Sequence, residues 1–176
     1  MSRKAQAWYL DLVAGMFIFI AGLIVYYYAN TNLSYDDREL YDDISREAES
    51  AASLLLTPGY PLDWDSDTVE QIGVVTGQEL DEVKWLQFSA IPYNESRRLL
   101  GTQYDFFAFL AEKNESVINI TSLCGIGDPS VIAGKDSDGN CLPISMEDVR
   151  FADLAKKERY ILHDGRVAKA VIYLWK

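Results

Sequence analysis

The sequence predicts an α+β protein in which one long N-terminal helix packs on a small antiparallel-sheet head. Three observations carry this reading. Residues from Leu10 to Tyr28 form an apolar run interrupted only by Asp11. The stretch "YDDRELYDDISREAESAASLLL" repeats apolar residues at helical spacing, and the closing "RYILHDGRVAKAVIYLWK" alternates β-forming residues around Asp164-Gly165.

The apolar run comes first along the chain. At about 1.5 Å per residue, Leu10 to Tyr28 spans roughly 28 Å as a helix, close to the thickness of a bilayer's hydrocarbon core. A secretory signal has a shorter apolar region and a small-residue cleavage site after it. Here the run ends instead in Tyr26, Tyr27 and Tyr28, an interfacial belt, with Trp8 and Tyr9 at the opposite end. Arg3 and Lys4 precede the run, and Asp36, Asp37, Glu39, Asp42 and Asp43 follow it. The positive-inside rule then predicts a single pass through a cell membrane with the N-terminus cytoplasmic and the head extracytoplasmic. The expected organisation is residues 1–5 as a cytoplasmic leader, 6–30 as the transmembrane helix, 31–57 as its amphipathic continuation and 58–176 as the head.

The continuation places Leu40, Ile44, Ala48, Ala51 and Leu55 on one stripe, and its acidic opposite face reads as solvated surface. "TPGYP" at 57–61 ends the helix. Beyond it, "IGVV" (72–75) reads as a short strand and "ELDEVKWLQFS" (79–89) as a helix. "NESRRLL" is expected to form a second short helix, with Asn94 as its cap and Gly101 as its stop. "YDFFAFLAE" (104–112) is strand-like, and "SVINITSL" (116–123) is placed to pair with it. "GIGDPS" (125–130) and "GKDSDGN" (134–140) read as loops. Asp164-Gly165 marks a two-residue hairpin turn.

Composition excludes more than it names. The 176 residues carry a net charge of −11 with no basic stripe, which excludes a nucleic-acid partner. Cys124 and Cys141 are expected to form one disulfide in an oxidising compartment, worth about 3 kcal/mol by loop-closure arithmetic. Asn32, Asn94, Asn114 and Asn119 each open an N-x-S/T sequon, so each is a glycosylation candidate that also reads as a turn or cap residue. His163 is the sole histidine, at the end of a strand beside the turn, where a structural or exposed role is expected. The Asp/Gly content of 134–140 resembles a calcium loop, but the glycine falls too early and the closing glutamate is missing. No catalytic, cofactor-binding or metal-ligating motif emerges, and the sequence reads as a non-enzyme.

Asp11 stands apart. A carboxylate within a membrane helix costs about 2.5–3.5 kcal/mol on insertion scales. Either it reaches the cytoplasmic interface near Lys4, or it pairs with a positive charge on a neighbouring chain.

Residues 3–30, "RKAQAWYLDLVAGMFIFIAGLIVYYYAN", resemble the class III signal of archaeal type IV pilin-like proteins: a short basic leader, a small residue, a glutamine, and an apolar helix with an early acidic residue. The resemblance implies a pilin-like fold and a prepilin-type peptidase that cuts on the cytoplasmic side, between Ala5 and Gln6, leaving the helix as the core of a surface filament. It also implies that Asp11 neutralises an N-terminal amine during assembly. Asp11 would be the sixth mature residue, where such proteins often carry a glutamate at the fifth, and alanine replaces the commoner glycine before the cut. Cutting after Gln6 would restore the spacing. The head, from "GYPLDW" to the closing hairpin, is similar to the heads of archaeal membrane-anchored proteins with this kind of leader.

The expectation is therefore a minor pilin or pseudopilin that partners with membrane lipid, the peptidase and other pilin-like subunits, with Gly15, Ala21 and Gly22 allowing close helix approach. An anchored extracytoplasmic binding domain that never polymerises is the alternative.

Overall fold

The computed structural model describes the backbone of residues 3–131, 133–146 and 149–176, and the side chains of these except residues 3–10 and 30–39. The chain divides into two compact units, Met1–Leu40 and Tyr41–Lys176. Helix α1 (Arg3–Leu55) supplies the described part of the first unit and opens the second.

The second unit contains a six-stranded sheet. Its strands are β1 (Val75–Thr76), β2 (Glu79–Leu80), β3 (Asp105–Ala111), β4 (Ile126–Gly127), β5 (Leu154–His163) and β6 (Arg166–Trp175). They lie in the order β1-β2-β5-β6-β3-β4, antiparallel except where Glu79 of β2 meets Leu162 of β5 in parallel. The α+β class is thus observed, with a sheet rich in antiparallel pairs.

The closing hairpin forms as the sequence predicts, with His163 opposite Arg166. Asp164 and Gly165 both have positive φ, 51° and 70°, as a two-residue turn matching the right-handed strand twist requires. Pairing of β6 with β3 aligns Phe106 with Leu174 and Ala108 with Ile172, so one sheet face carries Phe106, Ala108, Leu110, Ile172 and Leu174, all buried. Ala155, Lys157, Arg159 and Ile161 continue this face across β5.

Helices cover it. The stripe residues Ile44, Ala48, Ala51 and Leu55 of α1 are buried, and Glu49 beside them pairs with Lys157 and Arg159. Helices α2 (Glu82–Ala90) and α3 (Tyr93–Leu99) stack Phe88 and Tyr93 on Phe106, at ring-centroid distances of 6.2 and 5.5 Å. The opposite face bears Phe107, Phe109, Val171 and Trp175, which are covered by Val117, Cys124 and Val131 from the excursion between β3 and β5.

Several local expectations are corrected. The helix expected over 79–89 begins only at Glu82, because Asp81 caps it by accepting from the Val83 and Lys84 amides; Glu79 and Leu80 pair with β1 instead. Of "IGVV", only Val75 enters a strand. Asn94 does not cap α3: Pro92 occupies the cap position, and Asn94 lies inside the first turn. Gly101 does stop that helix. At φ 70° it allows its own amide to donate to Arg98 O and the Thr102 amide to Arg97 O, the paired bonds of a left-handed helix end.

Residues 116–123 pair with β3 as expected only at its end, where Val117 bridges Ala111, the Glu112 amide donates to Ser116 O and the Ile118 amide donates to Leu110 O; the segment does not extend into a strand. Thr121 and Ser122, both at positive φ, turn the chain away from β3. Further along that edge, opposite Ala108 and Phe107, lie Ile126 and Gly127, in the segment expected to be a loop. A Cβ on Gly127 would meet Phe106 O at 2.2 Å, so only glycine approaches β3 closely enough to pair there.

Ile44 is fully buried in the stripe. Replacing it with alanine is expected to cost about 2–5 kcal/mol, read from denaturant unfolding of the full chain in detergent by tryptophan fluorescence. Tyr41→Ala, at an exposed helix position, should change stability by less than about 1 kcal/mol.

Candidate functional site

In the first unit, Asp11–Ala29 is helical, long and apolar enough to cross a membrane, and none of it is buried within the chain. Leu12, Met16, Phe17, Ile18, Phe19, Leu23, Ile24 and Val25 all expose large apolar side chains. Exposed apolar surface costs about 25 cal/mol per Å² in water, so a continuous patch of this kind favours a membrane or partner contact.

The structure places the expected assembly residues on this segment. Asp11 is exposed, as are Gly15, Ala21 and Gly22. A Cβ at Gly15 or Gly22 would meet nothing within 4 Å, so no packing within the described chain demands a glycine at either position. Helical geometry puts Asp11, Gly15 and Gly22 on one face, at spacings of four and seven. Ala5 and Gln6 lie within α1, their side chains outside the described residues.

The other candidate residues belong to the head, apart from Asn32, which lies in α1 with its side chain outside the described residues. Cys124 and Cys141 are joined as a disulfide, with Cα atoms 5.5 Å apart. Asn94 is exposed, but Ser96 of its sequon is buried and donates to Ile91 O. Asn114 is exposed in a turn, and its side-chain oxygen accepts from the Ser116 amide. Asn119 donates its amide to Gly139 O at 2.8 Å, so a glycan on that nitrogen would compete with a loop-to-loop bond.

Within 134–140, Asp136 accepts from the backbones of Asp138 and Asn140 and from the Asn140 side chain. These bonds, the side-chain one foremost, hold its carboxyl below the usual range. The loop is closed on itself by these bonds.

Polar links tie α1 to the segment that leads into β3, and loop carbonyls to buried donors. Tyr104 donates to Asp43 at 2.8 Å, Thr102 donates to Glu47 at 2.6 Å, and the Gln103 amide also reaches Glu47. Lys84, largely buried, donates to Pro58 O at 2.5 Å, and Trp64 Nε1 donates to the same carbonyl and to Gly73 O.

Local sequence patterns miss one grouping: Glu82, His163 and Asp164 offer ligand atoms within 4.8 Å of one another. Glu82 and His163 meet because β2 runs parallel to the end of β5 just before α2 starts, and no spacing along the chain signals that. Set against family models, curated proteins and solved structures, the chain matches none significantly.

Tyr93 and Tyr104 carry an alkaline signature. Burial foremost, and then hydrogen bonds to Asp105 and Asp43 respectively, push both phenols above their ordinary value. In the unfolded chain they ionise near about pH 10. The stability they contribute is full below that pH and is lost as pH rises through the higher folded values. The melting temperature should fall steeply above about pH 10. In the Tyr93→Phe/Tyr104→Phe double variant that fall should be shallower.

Proposed function

We propose that this chain is a membrane-anchored, type IV pilin-like subunit of an archaeal surface filament, a minor pilin or pseudopilin, that assembles through its N-terminal helix. The observation that carries the reading is the division of labour along α1. Asp11–Ala29 has no residue buried among the described residues, whereas Ile44 to Leu55 buries a stripe in the head. A helix with an anchoring part and a head-packing part over an antiparallel sheet is what a pilin-like subunit requires.

Two features support assembly over simple anchoring. Gly15 and Gly22 share a face with Asp11 and have no neighbour within the described chain that needs them small. Small residues on one face let membrane helices approach closely. Asp11 on that same face pairs with the N-terminal amine of the next subunit, which offsets the cost of its burial and sets axial register. On this reading residues 1–5 are removed between Ala5 and Gln6. The N-terminus faces the cytoplasm, the head lies outside the cell with Asn114 exposed to take a glycan, and the chain performs no catalysis.

Intact-mass and N-terminal peptide spectrometry on protein from its native membrane tests the reading directly. A mature chain starting at Gln6, or within one residue of it, is the expected result. A chain still carrying Ser2-Arg3-Lys4 overturns it and leaves an anchored binding domain that does not polymerise. Gly22→Leu and Asp11→Asn separate assembly from insertion. Both variants should insert in the membrane and keep a folded head, while their recovery in sheared filaments falls at least tenfold by immunoblot.

A further inference from the structure

We propose that Glu82, His163 and Asp164 form a divalent-metal site of the zinc type on the head, independent of whether the chain polymerises. The three ligands come from separate elements. Glu82 is the first residue of α2, His163 the last of β5, and Asp164 the first residue of the hairpin turn. Glu82 Oε1 lies 3.8 Å from His163 Nδ1, and Asp164 Oδ2 lies 3.9 Å from His163 Nε2. One ligand atom from each residue falls within 4.8 Å of the others.

Zinc bonds of about 2.0–2.2 Å in tetrahedral array hold ligand atoms about 3.3 Å apart; one ion takes a single ring nitrogen of His163, so the carboxylate beside the other nitrogen has to swing round the ring as the three groups close. The distribution of burial suits that closure. The His163 side chain is 14% exposed and fixed at the strand end, whereas the Glu82 and Asp164 side chains are 47% and 84% exposed and are free to swing onto an ion. The neighbouring acid, Asp81, is committed elsewhere: it caps α2 and accepts from Thr76.

The chemistry of the set also fits. A neutral imidazole and two carboxylates form a nitrogen–oxygen donor set suited to zinc or a similar borderline dication, and they bring two negative charges to balance it. His163 and Asp164 also line a groove of about 500 Å³ with Glu112, Lys113, Ile118 and Arg166.

Calorimetric titration of zinc chloride into the full chain in detergent micelles tests the site, with cobalt(II) visible absorption as a report of coordination. Saturable binding at one ion per chain is expected, weakened at least about a hundredfold in His163→Ala and about tenfold in Glu82→Gln or Asp164→Asn. If His163→Ala fails to fold, the double variant Glu82→Gln/Asp164→Asn keeps the imidazole and every side-chain volume close to native. Loss of zinc in that variant, with an unchanged melting temperature in the absence of metal, supports the site. Absence of saturable binding in the natural chain, or undiminished affinity in the folded variants, overturns it and leaves an ion-pair cluster around one histidine.

Discussion

Strand β6 is the constraint on which the head depends. It lies between β5 and β3 and pairs with both along its length. Both of its faces are buried towards its end, Ile172 and Leu174 on one side and Val171 and Trp175 on the other. Such a strand needs a cover on each face, and the two covers come from different parts of the chain. One is the helical layer of α1, α2 and α3. The other is the excursion after β3, which the disulfide between Cys124 and Cys141 closes into a loop of low unfolded-state entropy. Remove either cover and a row of large apolar side chains meets water.

Ion pairs and hydrogen bonds orient this apolar framework more than they stabilise it. Lys157 and Arg159 sit on the helix-covered face of β5 and reach Glu49, while Thr102 and Tyr104 reach Glu47 and Asp43, both earlier on α1. Exposed pairs of this kind contribute about 0–1 kcal/mol each. Spaced along α1, they select one register of helix against sheet among those the small residues Ala48, Ala51 and Ala52 would tolerate. On the outer face Lys169 lies between Glu115 and Glu158, and Lys156 pairs with Glu158; this hydrogen bond foremost holds the Lys156 ammonium above its ordinary value. Charges in this position also keep the exposed side of β5 from pairing with another sheet.

The two stretches of α1 answer to different solvents. From Ile44 onward its small and branched residues fill the head. Asp11–Ala29 is long and apolar enough to cross a membrane and is not buried among the described residues. Pilin-like assembly, as proposed, supplies it with a lipid and a protein cover. The proposed metal site would add a function to the head at the hairpin turn, where an ion would join β5 to α2.

Periodicity alone was enough to read α1, the stripe from Ile44 to Leu55, strand β3 and the Asp164-Gly165 hairpin, because each depends on contacts within a few residues or on one face's pattern. The pairing of the two cysteines was legible because the sequence contains no others. What the tertiary structure decided was non-local. Ile126 and Gly127 join the sheet because glycine alone fits against Phe106 O, and the pairing of residues 116–118 with the end of β3 goes no further because positive φ at Thr121 and Ser122 turns the chain away. Asn94, a good capping residue by type, is displaced from the cap by Pro92. His163 acquires Glu82 as a neighbour only through a parallel contact between strands about eighty residues apart in the chain, which no local preference encodes. Local stereochemistry sets which segments become helix or strand; which side chains meet is set by the order in which strands share one sheet.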